Sequence, residues 1–262
     1  MLDPITELEP RKKDYTIDAV ARALALLEAL GEHPGQGVSE LARTLGLTKS
    51  IVFRLLYTLE ERGFVSRDED RTIYSLGYRV GVLGERVGRD GTLMHVAPPM
   101  MDTLRDQTGE NVNLVVRQGY DSVALATREG YNSIRLYAKP GRKGPLHAGG
   151  GSLLMFAFAD EELIEEVLSQ PLQSYTPYTI TDPEKVRQVL GRIRRQGYNV
   201  SLNDLDDGAF SIAAPIRDAG GRVIAGLSIA GAMVRFDEER RENYLAAVIK
   251  AADAISSKLA FR

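Results

Sequence analysis

Lys49, Ser50, Phe53 and Arg54 fall within two turns of one predicted helix, and their types suit a double-stranded nucleic acid. A serine hydroxyl can donate to a base edge or a phosphate. An arginine can make a forked pair with guanine, and a lysine neutralises phosphate charge. Arg67, Arg71 and Thr72 follow in a predicted hairpin and offer phosphate contacts, while Glu60 and Glu61 lie at the far end of the helix. A solvated helix face in a small helical subdomain is the plainer reading of the same residues.

A second set lies further along. Gly149-Gly150-Gly151 precedes a predicted helix from Ser152. Amides at a helix N-terminus are unsatisfied donors at the positive end of the dipole, so a carboxylate could be held there. A tight turn is the alternative. The run lacks the lysine of a phosphate-cradling loop, which argues against a nucleotide. Ser211 and Ser228 fall on paired predicted strands, and if they face inward they need partners, as a buried polar pocket would provide. Asn203, Asp204, Asp206 and Asp207 cluster before Gly208. The glycine and glutamate positions of a calcium loop do not match, and a solvated loop fits better. Gly226-Leu227-Ser228-Ile229-Ala230 echoes a nucleophile elbow, yet no histidine follows Ser228 and the context is a hairpin, so a serine hydrolase is excluded.

Composition narrows the classes further. The chain has 262 residues, 44% hydrophobic and 26% charged, which is neither a disordered nor a membrane composition. Zero cysteine removes disulfides, thiolate metal sites and a cysteine nucleophile. His33, His95 and His147 are too scattered for a metal cluster, so no metal and no cofactor is expected. No apolar run is long enough to span a membrane, and Met1–Asp14 has no signal-peptide pattern; a cytoplasmic protein is expected. Residues 1–75 hold 10 Lys/Arg against 13 Asp/Glu, and residues 76–262 hold 23 of each. Any DNA binding must therefore rest on a few placed cations.

The elements that position these residues can be read in order. Residues 1–14, with Pro4, Pro10 and Arg11-Lys12-Lys13, read as a mobile tail. Ile17, Val20, Leu24 and Leu27 give the apolar stripe of a first helix closed by Gly31. Ser39 is placed to cap a short second helix that stops at Gly46. Thr48 caps a third, Lys49–Arg62, with Ile51, Val52, Leu55, Leu56 and Leu59 inward and Gly63 after it. Phe64-Val65, a polar turn, and Thr72–Leu76 make a hairpin. Short helix, tight turn, long helix, hairpin is a winged helix-turn-helix over 15–76, whose third helix enters the major groove. Residues 77–92 read as a connecting helix weakened by Gly77, Gly81, Gly84 and Gly88. Pro98-Pro99 breaks the pattern before a helix from Met100 to Gln107. Strands are expected at Asn111–Arg117 (Val112, Leu114 and Val116 on one face), Ser122–Thr127 and Ser133–Tyr137, then a basic loop at Lys139–Gly144. Helices follow at 152–159, 160–169 and 183–196. Strands Phe210–Arg217 and Arg222–Ala230 meet at Asp218-Ala219-Gly220-Gly221, and a long helix capped by Asp237 ends the chain. One antiparallel sheet flanked by helices makes 93–262 an α+β domain.

The sequence resembles the IclR family of bacterial transcriptional regulators from about Ile17 to Ala260. The marks are Gly46-Leu47-Thr48-Lys49-Ser50-Ile51-Val52-Phe53-Arg54-Leu55-Leu56, Leu59-Glu60-Glu61-Arg62-Gly63-Phe64-Val65, Pro145-Leu146-His147-Ala148, Gly197-Tyr198, Ser211–Asp218 and Gly220–Gly231. The resemblance implies an N-terminal winged helix-turn-helix and a C-terminal effector domain of GAF/PAS-like fold. It implies dimers, often dimers of dimers, on palindromic DNA operators, acting as repressors or activators. It implies small organic acid or aromatic effectors held over the sheet. Here that places the effector beside Gly149, Gly150 and Gly151, facing Asn203, Asp204, Ser211, Ser228 and Ala230. Thr48, Lys49, Ser50, Phe53 and Arg54 would dock on DNA, with Arg67, Arg71 and Thr72 on the backbone. The family's Thr-Ala-x-Gly-Lys after the histidine is here Gly149-Gly150-Gly151-Ser152-Leu153. The competing reading, from another class, is a small-molecule carrier or enzyme whose N-terminal half only oligomerises. Absence of salt-sensitive DNA binding, with ligand stabilisation intact, would favour it.

Overall fold

The computed structural model of the chain describes residues 16–68, 70–88, 93–132 and 139–260. The tail expected over 1–14 and the strand expected over Ser133–Tyr137 lie outside those residues. The chain divides into two compact units, Met1–Arg86 and Val87–Arg262.

In the first unit, α1 (Asp18–Glu32), α2 (Val38–Leu45) and α3 (Lys49–Glu61) precede a hairpin of β1 (Val65–Asp68) and β2 (Ile73–Leu76). Val52 and Leu56 of α3 are fully buried among Leu26, Leu30, Leu41 and Tyr74. Burying side chains of this kind is worth about 1.5–3 kcal/mol each, which makes the small core the force that holds α3. Gly46 takes φ 63°, a left-handed conformation that lets α2 stop and the chain turn at once into α3. The Thr48 hydroxyl oxygen then accepts from the Ile51 N–H at 3.4 Å, the expected cap. β1 and β2 pair antiparallel, Val65 opposite Leu76 and Asp68 opposite Ile73. The Asp68 carboxylate accepts from the Asp70 and Arg71 amides at 3.1 and 3.2 Å and shapes the turn.

Three expectations are corrected here. In α1 the buried positions are Leu26, Ala29 and Leu30, while Ile17, Val20 and Leu24 are 68%, 52% and 54% exposed. This helix is apolar around most of its circumference, so its spacing admits two stripes, and packing against α2 and α3 selects the other one. Gly31 does not end α1: it stays helical, and the chain leaves at His33, whose N–H reaches the Ala29 carbonyl at 3.0 Å. Ser39 is inside α2 rather than capping it. The cap position is Gly37, whose N–H donates to the Glu40 carboxylate at 3.0 Å.

The second unit is a six-stranded antiparallel sheet, ordered β5-β4-β3-β8-β7-β6, between two helical layers. Its strands are β3 (Asn111–Gln118), β4 (Asp121–Arg128), β5 (Lys143–Pro145), β6 (Asn199–Leu202), β7 (Ala209–Arg217) and β8 (Val223–Ala232). Helix α4 (Tyr78–Gly88) runs across the boundary between the units, inside the expected 77–92 segment. On one face of the sheet, α5 (Leu93–Thr108) and α9 (Glu238–Ala260) bury Met101, Leu104, Val248 and Ile255 against Val112, Leu114, Ile212, Leu227 and Ile229. The other face carries α6 (Gly150–Ala157), backed by α7 (Glu161–Leu168) and α8 (Pro183–Gln196), with Leu154, Phe156, Leu190 and Ile193 buried around Ala213. The two faces are the two parities of each strand.

Pro98 and Pro99, expected from the sequence to break the pattern before a helix from Met100, instead sit inside α5, which starts at Leu93. Each removes one backbone hydrogen bond. Burial of Ala97, Met101 and Leu104 on the sheet outweighs that loss. α6 also begins two residues earlier than expected. β6 carries only Val200 and Leu202 as apolar positions, at an edge, which is too short for a periodicity to be read. Where β3 meets the end of β8, the buried Glu110 carboxylate receives a forked pair from Arg235 at 2.7 and 2.6 Å.

Candidate functional site

The N-terminal half of α3 presents Lys49, Ser50, Phe53 and Arg54 outward, with Phe53 52% exposed. Among the described residues no carboxylate pairs with Lys49, Arg54 or Arg71 in an ion pair, so their charge remains available to phosphate or base. Thr48 is committed as the helix cap through its oxygen; its O–H proton remains a donor. Tyr57, one turn beyond Phe53 and 56% exposed, was not singled out from the sequence, although the i, i+4 spacing could have marked it. The Glu61 carboxylate one turn on raises its phenol pKa above the ordinary tyrosine value. In the hairpin, Arg67 stacks its guanidinium 5.9 Å from the Tyr74 ring centre, and Arg71 and Thr72 stand exposed at the turn, Thr72 with φ 53°.

In the second unit, the eight residues assigned to a ligand site converge on one end of the α6 face, and several contact each other. The Gly149 amide donates to Asp204 Oδ2 at 3.1 Å. The Ser201 hydroxyl bonds the other Asp204 oxygen. A side chain at Gly150 would collide with Ser211 Oγ, and one at Gly151 would lie 2.9 Å from Val115. The glycine run is therefore what lets α6 approach the sheet. Asn203, at φ 58°, turns its side-chain oxygen back to the Gly208 amide at 2.9 Å. Ser228 and Ala230 lie on the same face of β8, 2% and 6% exposed, and Ala230 is the register partner of Ser211. Thr176 and Thr179 donate their hydroxyls to the Asn203 and Asp204 carbonyls, both at 2.6 Å, and so strap the preceding loop onto this one. Behind the loop, His147, Leu153, Ile180, Val186, Val189 and Asp204 line a small cavity. His147 Nε2 lies 2.9 Å from the Gln173 carbonyl.

Two polar residues on this face escaped the sequence reading. Asn113 and Thr127 are register partners, and the Thr127 hydroxyl donates to Asn113 Oδ1 at 3.1 Å. Asn113 is also the register partner of Ser228. The alternation that placed Val112, Leu114 and Val116 on one face put Asn113 on the other; the signal was present in the same strand.

Among the described residues there is no cluster of His, Asp or Glu arranged for a metal ion, and no helix long and apolar enough to cross a membrane.

Known proteins share both units. Residues 19–69 match the IclR helix-turn-helix domain, and residues 89–257 match the bacterial transcriptional regulator IclR C-terminal domain. The chain is 36% identical over 243 residues to the HTH-type transcriptional regulator KipR of Bacillus subtilis, covering 92% of this chain and 97% of that protein. The crystal structure of the Thermotoga maritima IclR superposes with a TM-score of 0.76 at 31% identity, covering 94% of this chain and all of that one. An IclR homolog from Microbacterium hydrocarbonoxydans, complexed with 4-hydroxybenzoate, superposes with a TM-score of 0.81 at 28% identity, over 93% of this chain and 100% of that chain. The third helix of a winged helix-turn-helix, with Lys49 and Arg54 exposed at its N-terminal end, and the sheet-and-helix unit that follows in sequence thus have one explanation: the chain belongs to the IclR family of bacterial transcriptional regulators and is a ligand-responsive, DNA-binding regulator.

Proposed function

We propose that residues 15–76 dock α3 in the major groove of a palindromic operator, and that residues 93–262 sense a small organic acid or aromatic catabolite. Residues 77–92 are the joint between them. The observation that carries the DNA reading is the outward row of Lys49, Ser50 and Arg54 at the N-terminal end of α3, whose cations form no ion pair among the described residues. Ser50 and Arg54 read base edges, Phe53 contacts an apolar base surface, and Lys49, Thr48, Arg67, Arg71 and Thr72 engage phosphates. A palindromic site requires two copies. The exposed apolar edge of α1, Ile17, Val20 and Leu24, supports a homodimer at this unit.

The effector reading rests on the polar α6 face, with Gly149–Gly151, Asn203, Asp204, Ser211, Ser228 and Ala230 around it. The 4-hydroxybenzoate complex of the Microbacterium homolog supports an aromatic acid as the class. Ligand and operator affinities are coupled reciprocally, since each biases the same two arrangements of the chain. The test is operator release. DNA bound at low salt is titrated with candidate acids, and a bound acid must change operator affinity. An acid that stabilises the protein and leaves operator affinity unchanged would contradict the coupling.

A further inference from the structure

The outer surface of α3 is two columns of side chains, each stepping by one turn. Lys49, Phe53 and Tyr57 form one, and Ser50, Arg54 and Thr58 form the other. The inner side of the helix is complete without them, with Val52 and Leu56 buried in the core. Phe53 and Tyr57 are left 52% and 56% exposed. Single apolar side chains on a surface need no explanation, but two large rings at i and i+4 are neighbours and make one continuous apolar strip.

The surroundings of the strip say what covers it. Lys49 precedes it in the same column and Arg54 stands beside it, and among the described residues neither pairs with a carboxylate. No acidic residue occurs from Lys49 to Thr58, and Glu60 and Glu61 mark the end of this stretch. An apolar strip flanked by free cations fits a surface with anionic rims and apolar groups between them. The major groove of DNA is such a surface. Phosphates line its rims, and the one apolar group on its base edges is the C5-methyl of thymine. Phe53 has no hydrogen-bonding atom in its side chain, so that methyl is the only base feature it can select. Tyr57 repeats the same ring one turn on. Four residues rise about 6 Å along a helix, close to two base steps of about 3.4 Å.

We infer that Phe53 and Tyr57 are specificity residues that pack their rings on thymine methyl groups, so that each operator half-site requires thymine at two positions about two base steps apart. This rests on the reading of α3 as the helix that enters the groove. Ser50 and Arg54 then select hydrogen-bonding base edges, while the aromatic strip separates thymine from cytosine, the pyrimidine that lacks the methyl group.

The test uses the full-length protein and a pool of randomised DNA duplexes. Sites that the wild type recovers through repeated selection are sequenced, and the tightest is measured by fluorescence anisotropy. Each of its thymines is then replaced in turn by deoxyuridine, which keeps every hydrogen-bonding group and lacks only the methyl. The expected result is that two such replacements in each half-site weaken wild-type binding by about 4-fold each, the worth of one buried methyl group. Phe53→Ala should abolish the effect at one of the two positions and Tyr57→Ala at the other. Tyr57→Phe should keep it, because the ring rather than the hydroxyl makes the contact. The uracil series on the wild type needs no variant and stands even if an alanine variant fails to fold. A recovered site that no uracil replacement weakens would overturn the proposal, as would uracil effects that both alanine variants retain. The rival occupant of the strip is a second α3. It would be shown by Phe53→Ala breaking the protein into smaller species on size-exclusion chromatography while the uracil effects persist, which also overturns the proposal. Recovery of no site by the wild type would remove the groove-docking reading and this inference with it, a result distinct from a recovered site that is indifferent to uracil.

Discussion

At the scale of single residues, Arg54 and Gly150 do opposite things with the same economy. Arg54 stands clear of the fold, so its removal should act on DNA and leave folding alone. Arg54→Ala is expected to weaken operator binding by about 1–3 kcal/mol in anisotropy titrations and to relax discrimination at one base pair. Its thermal midpoint should match that of the wild type. Gly150 is the reverse case. A methyl group there meets Ser211 Oγ and Cβ, so Gly150→Ala should destabilise by about 1–3 kcal/mol through overpacking. Ser211→Gly removes both atoms, and combining the two changes should recover most of the loss in denaturant unfolding. Independent, additive losses would mean that this contact does not set the height of α6. The Arg235–Glu110 pair makes a third case. Arg235→Ala leaves a carboxylate that is 3% exposed without its forked partner, which should cost roughly 3–5 kcal/mol. The sequence marked Arg54 and Gly150 by type and position. It could not mark Glu110 with Arg235, because their contact depends on where β3 and β8 meet, 125 residues apart.

At the scale of elements, what could be read was whatever local physics decides. The left-handed Gly46 and the Thr48 cap are local, and they place the start of α3 to the residue. Pro98 and Pro99 are also local, and there the inference failed, because burial of Met101 and Leu104 on the sheet outweighs two lost helix bonds. The stripe of α1 failed for a related reason: an all-round apolar helix is oriented by its neighbours, not by its own period. The turn between β7 and β8 shows local chemistry setting a pH response. The Asp218 carboxylate is held below its ordinary pKa, first by the Arg222 backbone N–H and then by the Arg222 side chain and the Gly220 amide. A depressed carboxylate adds stability above its unfolded pKa, and that stability is lost as pH falls through the folded value. Asp218→Asn should therefore lose that contribution at neutral pH and flatten the acid limb of the stability curve at and below the usual aspartate range. An unchanged acid limb would show that the turn does not depend on this charge.

At the scale of the whole molecule, net charge is −3, so DNA binding cannot come from a broad basic field. It must come from a few residues on α3 and the hairpin. Charge of that kind gives a shallow but definite salt dependence, and Arg71→Ala should lower the slope of log affinity against log salt by about 1 per subunit. The division into a DNA-binding and a ligand-binding half was legible because each half has its own period and its own turn residues. The polar α6 face was legible only in part: Ser228 is marked by its type, while Asn113 stands opposite it only because the sheet pairs β3 with β8. The most direct test of the account is fluorescence anisotropy on DNA from immediately upstream of the protein's own reading frame, with a scrambled competitor, at two salt concentrations. The wild type and Arg54→Ala are titrated side by side. The account predicts specific wild-type binding that weakens with salt and is cut by roughly 5- to 150-fold in the variant. Specific binding that Arg54→Ala leaves untouched would contradict the central claim, that the exposed face of α3 reads the operator.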